Sequence, residues 1–306
     1  MSEQPLYTIE VTVGSLSEPM RLDRYVAEHH SGVPRSVFSY PETEITCNGK
    51  VTKKSLKVSS GDRLVISYRS REPLPLVGQK IPLEILYEDT EVLIVDKRAG
   101  MVVHPGVGNW SDTLVNALLG RYGMEFASRF EQSDRPGIVH RLDKETSGVL
   151  AVAKQQTAAE SLSAQFKARS VERIYIAAVQ GEVSRPEGSI TTHLKRHPKD
   201  RTLVTVCSPE EGRDARTDYQ VVGRGQGWTL LRIALFTGRT HQIRVHLRSI
   251  GHPVLGDSIY GKKASYPMLL HALRLGFDHP KSGQRITAVA KLPERFIQLL
   301  ARRSSF

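Results

Sequence analysis

Reactive side chains are concentrated in residues 139–148, which read Val-His-Arg-Leu-Asp-Lys-Glu-Thr-Ser-Gly. This stretch is polar and turn-forming, and it directly precedes the apolar run Val149–Ala153, whose composition predicts a central strand. Polar loops at the edge of a sheet commonly hold reactive groups. Asp143 is the side chain of interest, although an aspartate on its own in such a loop more often only organises a turn.

Three further segments carry polar and basic side chains that complement this loop: residues 97–100 (Lys-Arg-Ala-Gly), His104-Pro105, and residues 237–244 (Thr-Gly-Arg-Thr-His-Gln-Ile-Arg). Together with residues 139–148 they resemble the RluA-type pseudouridine synthases, the branch that acts on large-subunit ribosomal RNA and some transfer RNAs. The string His-Arg-Leu-Asp…Thr-Ser-Gly is the most specific part. The resemblance extends from about residue 81 to residue 293, which is most of the chain.

The resemblance implies an isomerase that breaks the bond between uracil N1 and the ribose, turns the base and rejoins it through C5. No group is lost and no redox change occurs, so we expect neither a cofactor nor a metal. The reaction needs an ionised nucleophile inside a closed pocket. Asp143 matches the family's catalytic aspartate, and Arg244 matches its basic partner, whose guanidinium favours the ionised carboxylate.

Two further residues match family positions near the reacting base. Tyr175 matches the active-site tyrosine, whose ring is expected to stack on uracil and whose hydroxyl is a candidate base for the C5 proton. Without the resemblance, a tyrosine in a strand indicates packing. Arg141 matches the arginine associated with displacing the target base, since a guanidinium can occupy the space that an extruded nucleotide leaves.

The remaining predicted RNA-binding residues fall into two groups. His140, Arg239 and Gln242 belong to the family motifs. Residues 195–201 carry four basic side chains in seven positions. We interpret this segment as a loop that grips phosphates, with a merely solvated loop as the alternative. Its basic residues are Lys195, Arg196, Lys199 and Arg201.

The elements that position these residues follow from hydrophobic spacing. Thr240 is expected to cap a helix that ends at Gly251 and buries a stripe formed by Ile243, Leu247 and Ile250. Arg244 then lies about 100° round the helix, at the margin of the core, with Arg248 and His241 on the wetter face.

Further elements are predicted along the larger part of the chain. Ser111-Asp112 should begin a helix over 114–119, and a capping box at 157–160 should begin another whose apolar face is Ala158, Leu162 and Phe166. Short strands, among them 93–95, 173–179 and 230–236, are interleaved irregularly with these helices. This order predicts an α+β fold with a mixed, mainly antiparallel sheet.

Domain boundaries are predicted at a small module in residues 1–70, a Pro-containing linker in 71–82 and a catalytic domain in 83–306. The module resembles an S4-type α/β RNA-binding module in the order of its short motifs. These motifs are Arg21-Leu22-Asp23, Asn48-Gly49-Lys50-Val51, Lys57-Val58 and Gly61-Asp62.

The module departs from that family where its second helix should carry basic residues to RNA. Arg35-Ser36 begins this helix, but Pro41 must break it a turn later, and Glu42 and Glu44 follow. We therefore predict a degenerate module, with a role as a spacer or a protein contact as the equal alternative.

Charge agrees with an RNA partner. The 306 residues carry a net charge of +11, which in a cytosolic protein suggests a polyanion. Residues 1–70 hold nine basic and eight acidic side chains, whereas residues 71–306 hold 34 and 24. The grip on RNA should therefore lie mainly in the larger part.

Composition sets the expected compartment and partners. The two cysteines, Cys47 and Cys207, fit a reducing cytosol, and neither a signal peptide nor a membrane-spanning run is recognisable. We expect a cytoplasmic monomer acting on large-subunit ribosomal RNA or a pre-ribosomal particle. Transfer RNA stays an alternative substrate.

Two other functions were weighed. A metal hydrolase would need ligand spacing that the pairs His193/His197 and His241/His246 do not provide. A non-catalytic RNA-binding or ribosome-assembly factor with a synthase fold would be separated by an Asp143→Asn variant, whose cellular effect would then be unchanged. The identity of the uridine, and attack of Asp143 at C6 or at C1′, stay open.

The weak charge of the module generates a prediction. Deleting residues 1–70 should leave turnover on a short RNA fragment nearly intact, because the larger part carries the catalytic motifs. The log–log salt dependence of RNA binding should flatten by no more than two contacts from Lys50, Lys53 or Arg35, at about 0.7–0.9 each. A loss of about four contacts would make the module a principal anchor.

Overall fold

The chain divides into two compact units, Met1–Pro75 and Leu76–Phe306. The computed structural model describes residues 6–30, 33, 37–38, 42–69, 76–106, 109–131, 135–200, 202–262 and 264–301. Some predicted features lie outside the described residues, namely Arg35-Ser36, Pro41, linker residues 71–75 and Arg201. The helices of the described residues are all too short or too polar to span a membrane.

The first unit is a four-stranded antiparallel sheet with one helix. In spatial order its strands are β1 (Leu6–Thr12), β6 (Arg63–Arg69), β3 (Glu44–Cys47) and β4 (Lys50–Val51). Helix α1 (Leu22–His29) buries Leu22, Tyr25 and Val26 in the core of this unit, and the short strands β2 (Met20–Arg21) and β5 (Lys57–Val58) pair with each other.

The predicted Asn-Gly turn between β3 and β4 is confirmed. Asn48 and Gly49 both have positive φ, at 51° and 75°, the backbone conformation that this two-residue hairpin requires. Local sequence therefore determined this hairpin. That the unit binds RNA stays a prediction.

The second unit is built on a mixed, mainly antiparallel ten-stranded sheet, which confirms the predicted α+β class. The strand path is β12 (Val204–Cys207), β11 (Glu187–Arg196), β13 (Arg213–Gly225), β14 (Trp228–Leu235), β10 (Glu172–Gln180), β15 (Leu270–Asp278), β9 (Ser147–Ala153), β8 (Val92–Lys97) and β7 (Glu84–Glu88). Strand β16 (Arg285–Val289) pairs with β15. Strands β9 and β15 pair in parallel, and the other described pairs are antiparallel.

The predicted central strand is confirmed as β9. All seven of its residues are buried, and so are Val92–Val95 of β8 beside it. Apolar residues on both faces of these strands have no contact with water, which is why the sequence shows continuous apolar runs instead of alternation. The polar loop of residues 139–146 therefore leads directly into the centre of the sheet.

Four helices pack around this sheet: α2 (Leu114–Tyr122), α3 (Gln156–Ala168), α4 (Gln242–Ser249) and α5 (Glu294–Ala301). The predicted caps of α2 and α3 are wrong. Thr113, not Ser111-Asp112, caps α2 through a reciprocal pair of bonds with Asn116. Helix α3 begins at Gln156, so Thr157 already lies inside it and no capping box forms there.

The second half of the predicted linker packs against α2. Residues 76–82 form neither helix nor strand, but the amide of Gln79 donates to the carbonyl of Asn116 over 2.8 Å. Asn116 Nδ2 in turn donates to the carbonyl of Val77 over 2.8 Å. Gly120 permits this close approach, since a Cβ there would lie 2.0 Å from the Gln79 carbonyl oxygen. These residues belong to the second unit.

Gly148, in β9, generates a stability prediction. Its φ is +118°, and a Cβ would lie 2.1 Å from the carbonyl oxygen of Ala272 in β15. Gly148→Ala should lower the free energy of unfolding by more than about 3 kcal/mol through backbone strain and overpacking. Gly227→Ala, at a φ of +74° in open space, should cost only about 1–2 kcal/mol. Urea unfolding measures both, and equal losses would contradict the collision with Ala272.

Candidate active site

A buried lysine anchors the loop that carries Asp143. Lys97, at the end of β8, is 1% exposed, and its Nζ donates to the carbonyls of Arg98, Met101 and Lys144. Burial lowers the pKa of Lys97 to about 7, although the carboxylates of Asp143 and Glu145 act to raise it. Because Nζ spends its three hydrogens on carbonyls, Lys97 fixes backbone beside Asp143 and does not serve as a free base.

Asp143 faces the guanidinium of Arg244, which the sequence places 101 residues later. Arg244 Nη1 lies 3.3 Å from Asp143 Oδ2. Helix α4 buries Arg244 to 4% exposure, whereas the side chain of Asp143 stays 21% exposed. The structure thus brings together the two residues that the family motifs suggested as nucleophile and partner.

A second carboxylate, Asp257, holds Arg244 from the other side. Arg244 Nε donates to Asp257 Oδ2 over 2.7 Å, and Nη2 donates to Oδ1 over 2.8 Å. The amides of Ile259 and Tyr260 also donate to Oδ1. With one edge of the guanidinium bound this way, Nη1 is the nitrogen that faces Asp143.

The charges of this pair stabilise each other in spite of burial. Burial lowers the pKa of Arg244, but the hydrogen bonds and charge of Asp257, together with Asp143, raise it above its ordinary value. Burial raises the pKa of Asp257, but Arg244 and the two amides lower it overall. Sequence reasoning missed Asp257. A buried arginine signals a carboxylate partner, but nothing in the sequence says which one.

The predicted start of α4 is wrong. Thr240 does not cap the helix, because its Oγ1 accepts a bond from Arg141 Nη2 over 2.9 Å. His241 precedes the helix in the left-handed conformation, with φ 56° and ψ 17°. The helix ends at Ser249, so Ile250 is 37% exposed and falls outside the buried stripe.

His241 faces the site instead of the solvent, which corrects its predicted place on the wetter face. Its Nδ1 lies 2.9 Å from the Tyr260 hydroxyl, and its Nε2 lies 3.9 Å from Asp143 Oδ2. Burial lowers the pKa of His241, while Asp143 acts to raise it. The left-handed backbone immediately before α4 turns the imidazole inward.

Two cavities meet at Asp143. The larger, about 490 Å³, is lined by Tyr175 and by residues of α3 and β10, and the smaller, about 450 Å³, is lined by His104 and Asn109. Residues that line both are Arg141, Leu142, Asp143, Thr240, His241 and Arg244. The carboxylate of Asp143 is thus accessible from a space of nucleotide size on either side.

Tyr175 lies in the wall of the larger cavity, in β10, and is 7% exposed. Burial raises the pKa of Tyr175 to about 12; Asp143 adds to the shift and Arg173 opposes it. A phenol with this pKa is protonated at neutral pH, so the arrangement does not favour the expected role as a base. Stacking on uracil stays a prediction for its ring.

His140 is placed where it supports the loop. Its Nε2 accepts the amide of Ala151 over 2.9 Å, and its ring stacks on Phe166 at a centroid distance of 4.5 Å. Burial, and to a lesser extent the charge of Arg173, lower the pKa of His140 to about 3. A neutral, hydrogen-bonded imidazole does not attract phosphate, which contradicts an RNA-binding role.

Gln242 is also bound internally, against expectation. Its Oε1 accepts from Thr237 Oγ1 and from the amide of Arg239, and its Nε2 donates to the carbonyl of Arg216 and to Thr217 Oγ1. The side chain is 2% exposed. Its hydrogen-bonding capacity is used within the protein, so it positions the start of α4.

The predicted phosphate-gripping loop is in part a strand. Lys195 and Arg196 end β11 and pair with residues of β12, and Lys195 Nζ lies 2.7 Å from Glu211. Lys199 follows in the connection between these strands. None of these three described residues lines either cavity.

The exposed cations at the larger cavity are different ones. Arg141 and Arg239 were predicted. The sequence analysis missed three others, from α3 and the chain that follows it, namely Lys167, Arg169 and Arg173. No motif marked them, because they become neighbours of Asp143 only when α3 packs beside the loop.

The histidine pairs considered for a metal site are used elsewhere. His246 contacts Thr192 through Nε2 and Thr217 through Nδ1, while His241 faces Asp143. Among the described residues, no group of three or more histidine, cysteine or acidic side chains is arranged to hold a metal ion.

Comparison with known proteins assigns the family. Residues 91–249 match the model of a family described as RNA pseudouridylate synthase. The chain belongs to this family. The matched residues include Asp143, Tyr175 and Arg244, and the resemblance to RluA-type enzymes is confirmed. The chain is therefore an RNA pseudouridine synthase.

Curated relatives and solved structures agree. An RNA pseudouridine synthase of Aquifex aeolicus is 42% identical over 91% of this chain and 92% of its own length. Ribosomal large subunit pseudouridine synthase D of Nitrosomonas europaea is 38% identical over 98% of this chain and 89% of its own. The structure of human RNA pseudouridylate synthase domain containing 4 covers 72% of this chain and 93% of its own, with 26% identity and a TM-score of 0.56.

Asp257 generates a prediction for this synthase. Asp257→Asn should slow pseudouridine formation about 10–100-fold, because Arg244 loses the partner that orients it. It should also cost about 3–5 kcal/mol of stability at neutral pH, since a buried charge loses its compensation. The pKa of Asp257 is lowered in the folded state, so its stabilisation is lost on acidification and the variant should lose less stability than the parent below about pH 4.

The matched control is Asp218→Asn. Asp218 pairs with Arg216 on an exposed face of β13, a contact worth less than about 1 kcal/mol. Single-turnover rates and urea unfolding of both variants check the prediction. Normal turnover in folded Asp257→Asn would contradict it.

Proposed function

We propose that this synthase converts uridine to pseudouridine in large-subunit ribosomal RNA and that Asp143 is its nucleophile. Relatives that match most of the chain carry the name ribosomal large subunit pseudouridine synthase D, in Nitrosomonas europaea and Zymomonas mobilis among others. The observation that carries the second half is the position of Asp143, 3.3 Å from the buried guanidinium of Arg244 and accessible from both cavities.

The arrangement suits the steps of an isomerisation. Asp143 attacks C1′ of the ribose or C6 of uracil, the N1–C1′ bond breaks, the base turns and a C5–C1′ bond forms. The proton on C5 leaves and N1 gains one, Asp143 is released, and no net proton or electron is exchanged. Arg244 favours the carboxylate before attack and again when it departs, because Asp257 already holds it in place.

The cavity suits one extruded nucleotide. A volume of about 490 Å³ lies within the usual range of small-molecule pockets. The target must leave its stack to reach Asp143. Arg141 is exposed beside both cavities and is hydrogen-bonded to Thr240, so its guanidinium is placed to fill the vacated position. In this proposal the ring of Tyr175 supports the base from the wall.

Asp143→Asn tests the nucleophile. The variant should form no pseudouridine while keeping RNA affinity within about threefold, because phosphate contacts carry most of the binding. Glu145→Gln is the matched control, since the same charge is removed two residues away in the same loop. Purified variants are assayed on ribosomal RNA transcripts. Turnover by Asp143→Asn at a tenth of the normal rate would contradict the assignment.

The substrate is tested in cells. Pseudouridines are mapped in ribosomal and transfer RNA from a strain lacking the protein, with and without the wild-type gene. The proposal expects sites in large-subunit RNA that disappear and return, and changes confined to transfer RNA would contradict it. If Asp143→Asn restored normal ribosome assembly without the modification, the assembly role would be favoured.

A further inference from the structure

Two half-exposed arginines stand at the rim of the larger cavity and come from distant parts of the chain. Arg169 follows α3, and Arg239 lies in the connection before α4. Their side chains are 49% and 31% exposed. Both line the cavity that contains Asp143, so any strand that delivers a nucleotide to this carboxylate passes near them.

One carboxylate joins these arginines. Asp214, near the start of β13, accepts a bond on Oδ2 from Arg169 Nη2 over 2.6 Å. Its Oδ1 lies 3.2 Å from Arg239 Nη2, and its backbone carbonyl accepts from Arg239 Nε over 3.1 Å. A group with negatively charged oxygens between two guanidiniums is the arrangement that a phosphate adopts with arginines.

The contact is exchangeable. Asp214 is 52% exposed, and exposed ion pairs contribute only about 0.2–1 kcal/mol. Arg173, also at this cavity, differs because its Nη2 donates to the backbone carbonyl of Phe236 and its guanidinium lies beside Phe166. Arg169 and Arg239 are therefore the rim cations whose partner a ligand can replace.

We propose that Arg169 and Arg239 bind a backbone phosphate of the RNA beside the target uridine, and that Asp214 occupies this site until the phosphate displaces it. The proposal rests on the proposed function in that the RNA strand leads a uridine into this cavity. Asp214 then keeps the two guanidiniums together in the free enzyme and weakens the binding of every RNA that must displace it.

A binding assay separates this role from a general effect of charge. The full chain is titrated with a labelled oligouridylate of about ten nucleotides over a series of KCl concentrations. Asp214→Asn should bind about two- to fivefold more tightly at low salt, the equivalent of one exposed ion pair. Asp218→Asn adds the same charge on the same strand but frees Arg216, which does not line the cavity, so its affinity should stay near that of the parent.

The arginines are tested by the salt dependence. Arg169→Gln and Arg239→Gln should each flatten the log–log slope by about 0.7, the value for one phosphate on a single strand. Arg216→Gln is the control and should leave the slope unchanged. The thermal unfolding midpoint of each variant verifies that the fold is kept.

Three outcomes would overturn the proposal. Equal tightening by Asp214→Asn and Asp218→Asn would show an effect of net charge, and weaker binding by Asp214→Asn would show that Asp214 only organises the rim. Unchanged slopes in Arg169→Gln and Arg239→Gln would show that no phosphate binds there. Oligouridylate binding requires no turnover, so failure of the ribosomal RNA assignment or of Asp143 as nucleophile is detected separately.

Discussion

The guanidinium of Arg244 is a positive charge inside the protein, and its neutralisation determines the layout of the site. A buried charge without a partner costs several kcal/mol or more. Asp257 neutralises it through two short bonds and is in turn fixed by the amides of Ile259 and Tyr260. Since this binds one edge of the guanidinium, the remaining nitrogen faces Asp143. The orientation of the catalytic pair therefore follows from the cost of burying Arg244.

The position of Asp143 itself depends on the sheet. Strands β8 and β9 are buried on both faces, and the loop before β9 is tied to them by Lys97, His140 and the close approach at Gly148. These contacts are to backbone atoms, so they fix the path of the chain regardless of neighbouring side chains. A reactive carboxylate is thereby held on a rigid base, although it lies in a loop.

Electrostatics divides the residues around the cavity into those that face RNA and those that support the site. His140 is held neutral and Gln242 is fully hydrogen-bonded, so both support neighbouring backbone. Arg141, Arg169 and Arg239 keep exposed guanidiniums at the rim. Residue type alone does not make this division, because burial and partners set the charge and the free hydrogen-bonding capacity of each group.

The sequence by itself determined those features that depend on neighbouring residues. The hairpin at Asn48-Gly49, the buried strand β9 and the mixed sheet follow from local pattern, and motif resemblance identified Asp143 and Arg244 together. Only the tertiary structure decided that Asp257 orients Arg244, that His241 turns inward, and that Arg169 reaches the cavity. These features depend on contacts between distant segments, such as α4 with the loop before β9, and a buried charge finds its partner in space and not along the chain.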